Sequence, residues 1–146
     1  MPSPTDPAVA ARPLRPRVFV SPLGVWVIMA VVAVVNGVFR ETVIIPVVGE
    51  YPGHVVSTVL LVAAILVVSY LFFTRTSTDF TRLELALVGV LWTAMTVGFE
   101  FLVGYLEGVP PEVTIGQYDV LAGQVWIVVP LALLVAPLLF GWYLRR

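Results

Sequence analysis

The chain has 146 residues, 60% hydrophobic and only 12% charged, with a formal net charge of −1 and a mean hydropathy of +1.02. Water-soluble domains carry about 25% charged and roughly 45–50% apolar residues, so too few charges are present here to cover a water-facing surface. An ordinary soluble domain is excluded, and the composition is that of an integral membrane protein.

Residue counts narrow the chemistry further. Without cysteine there is no disulfide, thiol redox chemistry, iron–sulfur cluster or thiolate zinc site. The single histidine, His54, excludes a bis-His haem within one chain. All eight basic residues are arginine, which excludes a Schiff-base lysine. No basic surface large enough for nucleic acid is available.

Residues 1–21 hold Pro2, Pro4, Pro7, Pro13 and Pro16 and read as a disordered cytoplasmic tail. The remainder, 22–146, reads as a single transmembrane domain. Its first apolar run is 22–45, with Pro22 suited to a first helical turn and Pro46 expected to stop the helix. This run is too long for a signal-peptide core and lacks an A-x-A-like cleavage site, so it is expected to be retained. Further runs follow at 54–73, 83–106 and 120–143. Each spans about 20 to 24 residues, and a helix needs roughly 20 to cross the hydrocarbon. Short connections make neighbours antiparallel, so the predicted fold class is all-α, an integral membrane four-helix antiparallel bundle.

Seven of the eight arginines (Arg12, Arg15, Arg17, Arg75, Arg82, Arg145 and Arg146) fall on one side of these spans, with Asp6, Asp79 and Glu84. The other side holds Glu41, Glu50, Glu100, Glu107, Glu112 and Asp119 against Arg40 alone, giving +4 against −5. The positive-inside rule then places both termini in the cytoplasm. Trp26 and Trp142 near cytoplasmic ends, and Tyr51 and Tyr118 near outer ends, read as interfacial anchors.

Polar residues within the spans are the informative ones. Asn36 and Arg40 are four apart on span one and share a face. Thr93, Thr96 and Glu100 share a face of span three. His54 and Ser57 open span two, and Gln124 opens span four. At 1.5 Å per residue, Arg40, Glu100 and Gln124 lie about 7, 9 and 6 Å inside the outer ends of their helices. The expected layer is therefore Asn36, Arg40, Glu41, His54, Ser57, Thr96, Glu100, Asp119 and Gln124, in the outer third of the membrane. A lone charge at the bilayer centre costs about 2.5–3.5 kcal/mol on insertion scales, which favours mutual pairing. Glu100 is the expected partner of Arg40, because Glu41, one step round the helix, points elsewhere.

This layer admits three readings: an ion-pair network that fixes helix register, a site for an ion, proton or small polar solute, or capture of a partner protein or lipid headgroup. A metal site from Glu41, His54 and Glu100 lacks a close motif such as E-x-x-H, and no metal or cofactor is expected. Ser57 and His54 are three apart, but nothing indicates an oxyanion hole, so an enzyme is the weakest reading. His54 is expected to hydrogen-bond as a helix-start residue. Glu84 sits in a first helical turn and reads as a cap. Gly89, Thr93, Gly98 and Gly104 offer small residues for close helix approach. Pro130 and Pro137, on one face, are expected to bend span four. Trp26-x-x-Met29 is echoed by Trp92-x-x-Met95, without the polar residues following.

Taken together, these pieces resemble a family of small, uncharacterised prokaryotic integral membrane proteins with four spans. The matching residues are Asn36-Gly37-Val38-Phe39-Arg40-Glu41, Pro46-x-x-Gly49-Glu50 and His54-x-x-Ser57, then Glu84-x-x-x-x-Gly89-x-x-Trp92, Thr96 and Phe99-Glu100-Phe101-x-x-Gly104. Tyr118-Asp119, Gly123-x-x-Trp126 and Ala136-Pro137 complete the set. It covers about residues 30–137, and it departs at Gln124, where the pattern carries Arg, which counts against an anion site. The resemblance implies a four-span protein of the prokaryotic plasma membrane and brings no activity with it. The leading expectation is a polytopic membrane protein whose outer-side polar layer handles a small ion or solute. The rival is an accessory or structural subunit of a larger membrane complex. Expected partners are the lipid bilayer and either other membrane proteins or further copies of the chain.

Overall fold

The computed structural model describes residues 14–144. A 3₁₀ turn, Pro16–Phe19, leads directly into helix α1, Val20–Phe39. The tail expected over 1–21 is therefore helical from Pro16 onward. Residues 1–13 of that tail, with Arg12, and the terminal Arg145 and Arg146 lie outside the described residues.

Pro46 does not stop the first helix, contrary to expectation. A π-helical turn, Arg40–Ile44, carries it into α2, Ile45–Val48. Proline lacks an N–H and its ring crowds the carbonyl four residues back. Widening the turn, so that the Ile45 N–H reaches the Arg40 carbonyl five residues back, accommodates it. The helix ends at Gly49, whose φ of 93° turns the chain sharply into α3, Glu50–Arg75. Only glycine takes that φ without strain. Beside it, Gly53 packs against Ile45 so tightly that a Cβ would lie 2.7 Å from the isoleucine side chain.

Helix α4, Arg82–Leu106, begins with the cap expected of Glu84. Thr81 accepts from the Glu84 backbone N–H at 3.2 Å, and Glu84 Oε2 accepts from the Thr81 N–H at 2.9 Å. This reciprocal pair satisfies two otherwise orphaned donors. A short helix, α5, Pro111–Gly116, follows.

The fourth apolar run is only partly helical. Residues 120–127, expected to open the helix, form a 3₁₀ turn at Val120–Ala122 and a left-handed corner at Gly123, with φ of 83°. Asp119 holds this turn by accepting from the Ala122 N–H at 3.2 Å, and the Gln124 N–H donates to the Asp119 carbonyl. Helix α6, Val128–Leu138, starts only there and runs into a second π-helical turn, Leu139–Tyr143. That turn follows Pro137, the proline inside α6. Pro130 lies in the first turn of α6, where its missing N–H costs nothing.

Three helical stretches, Pro16–Val48, Glu50–Arg75 and Arg82–Leu106, are long and apolar enough to cross a membrane. Val128–Tyr143 is a shorter apolar helix. Cross-contacts fix their directions. Pro22 meets Trp92 and Trp26 meets Thr96, so α1 and α4 run parallel. Thr93 meets Pro130 and Gly89 meets Leu134, so α4 and α6 run antiparallel. Asn36 meets Ser57 across the Gly49 corner, so α1 and α3 are antiparallel.

The tightest packing is at the end of the structure that holds Arg15, Glu84 and Gly141. Phe73, Leu85, Val88, Trp92 and Ala136 are fully buried there. The Phe73 ring lies 5.8 Å from Phe80 and 6.0 Å from Trp92. Gly89 lets α6 approach until a Cβ would stand 2.4 Å from the Leu134 carbonyl oxygen. Of the other small residues expected to promote approach, Gly104 does so against Thr114, while Gly98 faces open space. Arg15 closes this end. Its Nε and terminal amine donate to the two Glu84 carboxylate oxygens at 3.0 and 2.8 Å, and the amine also reaches the Asp79 carbonyl at 2.7 Å. This bidentate geometry is the strong form of an arginine–carboxylate contact.

Candidate functional site

Above Trp26 the space between α1 and α4 opens. The Trp26 indole donates to Thr96 Oγ1 at 2.9 Å and meets Phe99 edge-on at 6.0 Å. Trp26 thus ties α1 to α4. Beyond this tie lies a cavity of about 640 Å³, walled by α1, α3, α4, the segment after α5, and α6. Its size falls within the roughly 300–1,000 Å³ of small-molecule sites.

Six of the expected polar residues line this cavity: Asn36, Arg40, Glu41, His54, Thr96 and Glu100. The other three do not. Ser57 is fully buried beside it, and its Oγ accepts from Asn36 Nδ2 at 2.8 Å, which fixes the asparagine. Asp119 is exposed and caps its own turn. Gln124 sits just past the Gly123 corner and is not part of the wall.

The expected Arg40–Glu100 pair is absent. Arg40 Nε donates instead to Glu41 Oε1 at 3.2 Å, with the glutamate side chain 59% exposed. Arg40 opens the π-helical turn, and its long side chain reaches its own sequence neighbour. An exposed pair of this kind contributes about 0–1 kcal/mol.

Glu100 is held by uncharged donors. The Tyr118 hydroxyl donates to Oε2, and the Trp126 indole N–H donates to Oε1 at 2.7 Å. Both oxygens act as acceptors, which suits a carboxylate. Hydrogen bonds to a charged group contribute about 1.5–3 kcal/mol each. Among the described residues no cationic side chain is bonded to Glu100. Burial and the Glu100 contact push the Tyr118 hydroxyl well above the ordinary tyrosine range, so it stays a donor.

His54 lies in the second turn of α3, because the helix begins four residues earlier than expected. Its ring packs against Trp126 at a tilt of 36°, with centroids 5.9 Å apart. Its Nε2 is buried without a hydrogen-bond partner, against the expectation that it bonds within the layer. Among the described residues no three His, Asp or Glu side chains gather closely enough to hold a metal, Glu41, His54 and Glu100 included.

Tyr118 and Trp126, the two donors to Glu100, were not expected in the site. Their signal lay in the motif pieces Tyr118-Asp119 and Gly123-x-x-Trp126. Composition alone made Tyr118 an anchor and Trp126 a residue of a regular helix. Tyr51 behaves similarly: its hydroxyl donates to the Gly123 carbonyl at 2.9 Å and pins the corner that presents Trp126. Comparison with family models, curated proteins and solved structures finds no match to this chain.

Proposed function

We propose that this chain is a multi-pass protein of a prokaryotic plasma membrane, with four spans and both termini in the cytoplasm. The cavity at its outer end binds a small ion or solute, and Glu100 is the anchoring group. Three apolar helices of crossing length support the membrane reading. The arginine asymmetry and the family resemblance support its direction and origin. In this reading residues 120–127 and α6 together make the fourth crossing. The cavity and the packed end then face outward and inward respectively.

The observation that carries the binding reading is Glu100. A carboxylate inside a span is costly unless compensated, and such residues mark ligand and ion pathways. Arg40, which could have neutralised it, is turned to Glu41. Two neutral donors orient Glu100 at the wall of a cavity and leave its charge for something else.

Glu100→Gln tests this, since it keeps the shape and removes the charge. Reconstituted wild-type vesicles are expected to show ion- or solute-dependent flux that the substitution abolishes while the fold survives. No flux across a broad panel, with or without a proton gradient, contradicts a transport role.

One feature of α1 favours a second reading, that of an accessory subunit. Val27, Val31, Val34, Val35 and Val38 are all more than half exposed, and among α1 residues only Pro22, Val25 and Met29 are buried. Such a face suits lipid or a neighbouring chain. Co-purification of a stoichiometric partner in mild detergent, together with no flux, supports the subunit reading.

A further inference from the structure

Aromatic rings gather around Glu100. The Trp126 indole bonds its Oε1, and the His54 ring packs against that indole. Thr96 stands four residues before Glu100, on the same face of α4. Its hydroxyl accepts from the Trp26 indole, which brings the Trp26 ring within about one helical turn of the carboxylate. Phe99, the sequence neighbour of Glu100, meets Trp26 edge-on at 6.0 Å. Trp26, Phe99 and Trp126 all line the cavity that Glu100 lines. Both indoles commit their N–H groups, one to Thr96 and one to Glu100. What they still offer a ligand is the electron-rich ring.

This combination discriminates among cations. A hard metal ion such as calcium takes six or more oxygen ligands. Among the described residues no three His, Asp or Glu side chains gather to supply them, and each Glu100 oxygen already accepts one hydrogen bond. A methylated ammonium asks for something else. It has no N–H to donate, spreads its charge over apolar methyl groups, and is attracted to the faces of aromatic rings, tryptophan best of all. It needs one counter-charge rather than a shell of oxygens. Resting on the binding reading above, we infer that the cavity takes a small organic cation bearing a quaternary ammonium group. Trp26, Phe99 and Trp126 supply its aromatic walls, and Glu100 supplies the counter-charge. Trp126 then has two tasks, since its N–H orients the carboxylate and its ring faces the ligand. A free solute and a lipid headgroup can both carry this group.

The test uses the full chain in a non-ionic detergent at constant ionic strength, with the shift in thermal unfolding against probe concentration as the measure of binding. Choline is expected to bind saturably, at least about tenfold tighter than sodium or than 3,3-dimethylbutanol, its uncharged carbon analogue. That comparison uses the wild-type chain and stands whether or not a variant folds. Glu100→Gln should weaken choline at least about tenfold. Phe99→Leu keeps an apolar side chain and removes no hydrogen bond. It should weaken choline about three- to tenfold and leave sodium unchanged. Dihexanoylphosphatidylcholine separates the two sources. Binding tighter than choline assigns the group to a lipid headgroup, and weaker binding assigns it to a free solute; either supports the ammonium site if Glu100→Gln removes it. Choline binding no tighter than its uncharged analogue overturns the inference. Saturable sodium, potassium or magnesium binding that Glu100→Gln abolishes, with none for choline, overturns it and leaves the Glu100 site standing. No Glu100-dependent shift with any of these cations overturns both.

Discussion

The two ends of this molecule solve the same problem differently. Both place a glutamate of α4 among helices with an arginine in reach of sequence arithmetic. At the packed end Glu84 caps its helix, takes a bidentate arginine and is fully buried. At the cavity end Glu100 is met by a tyrosine and a tryptophan, Arg40 is engaged elsewhere, and a cavity stands beside it. A fully satisfied carboxylate beside a tight helix contact is a structural element. A carboxylate oriented by neutral donors beside open space has capacity left over for a ligand.

Glycine substitutions should separate the two ends most sharply. Gly89→Ala drives a methyl into the Leu134 carbonyl, where the backbone of α6 must move. A loss of about 3 kcal/mol is expected, at the upper end for overpacking. Gly37→Ala adds a methyl to open space and removes a helical glycine, so a gain of about 0.5–1 kcal/mol is expected. Unfolding in detergent measures both, and equal signs would erase the distinction.

A smaller effect concerns the support of Glu100. Tyr118→Phe removes one of its two donors and should cost about 1.5–3 kcal/mol. It also removes an ionisation. The folded state holds Tyr118 above its ordinary value of 10.0, so it favours the neutral form. Its contribution to stability is fully present below that value and is lost as pH rises through the higher folded value. Alkaline titration followed by tyrosinate absorbance should show a late component in wild type that is missing from Tyr118→Phe.

The smallest effects lie in pairing. Arg15→Ala and Glu84→Ala should be non-additive in a double-mutant cycle, because the two side chains touch through two hydrogen bonds. Arg40→Ala and Glu100→Ala should be additive, since neither contacts the other. Coupling of the second pair would revive the ion-pair network that the sequence suggests.

Apolar length made three helices legible: 22–45 falls inside Pro16–Val48, 54–73 inside Glu50–Arg75, and 83–106 nearly coincides with Arg82–Leu106. It could not show that Pro46 would be absorbed by a π-helical turn, since that depends on which carbonyl each N–H reaches. Nor could it distinguish a helix from the turns at 120–127, where Val120, Leu121, Val125 and Ile127 are as apolar as any helix. Depth arithmetic named Asn36, Arg40, Glu41, His54, Thr96 and Glu100, which line one cavity, although the Trp26–Thr96 contact sets Glu100 level with Ala30 rather than with Arg40. It assigns a level but no direction around the axis, so it paired Arg40 with the wrong carboxylate and missed Tyr118 and Trp126.

The central claim is that the cavity end is open between α1 and α4 while the packed end is closed. The chain contains no cysteine, so single introduced thiols report without background. Gly37→Cys, at the cavity wall, and Ser69→Cys, fully buried in the C-terminal half of α3, are compared for reaction with a small charged thiol reagent on the folded protein. Rapid labelling at position 37, with none at position 69, is the predicted result. An unreactive thiol at position 37 in a protein that labels after unfolding would contradict the open cavity.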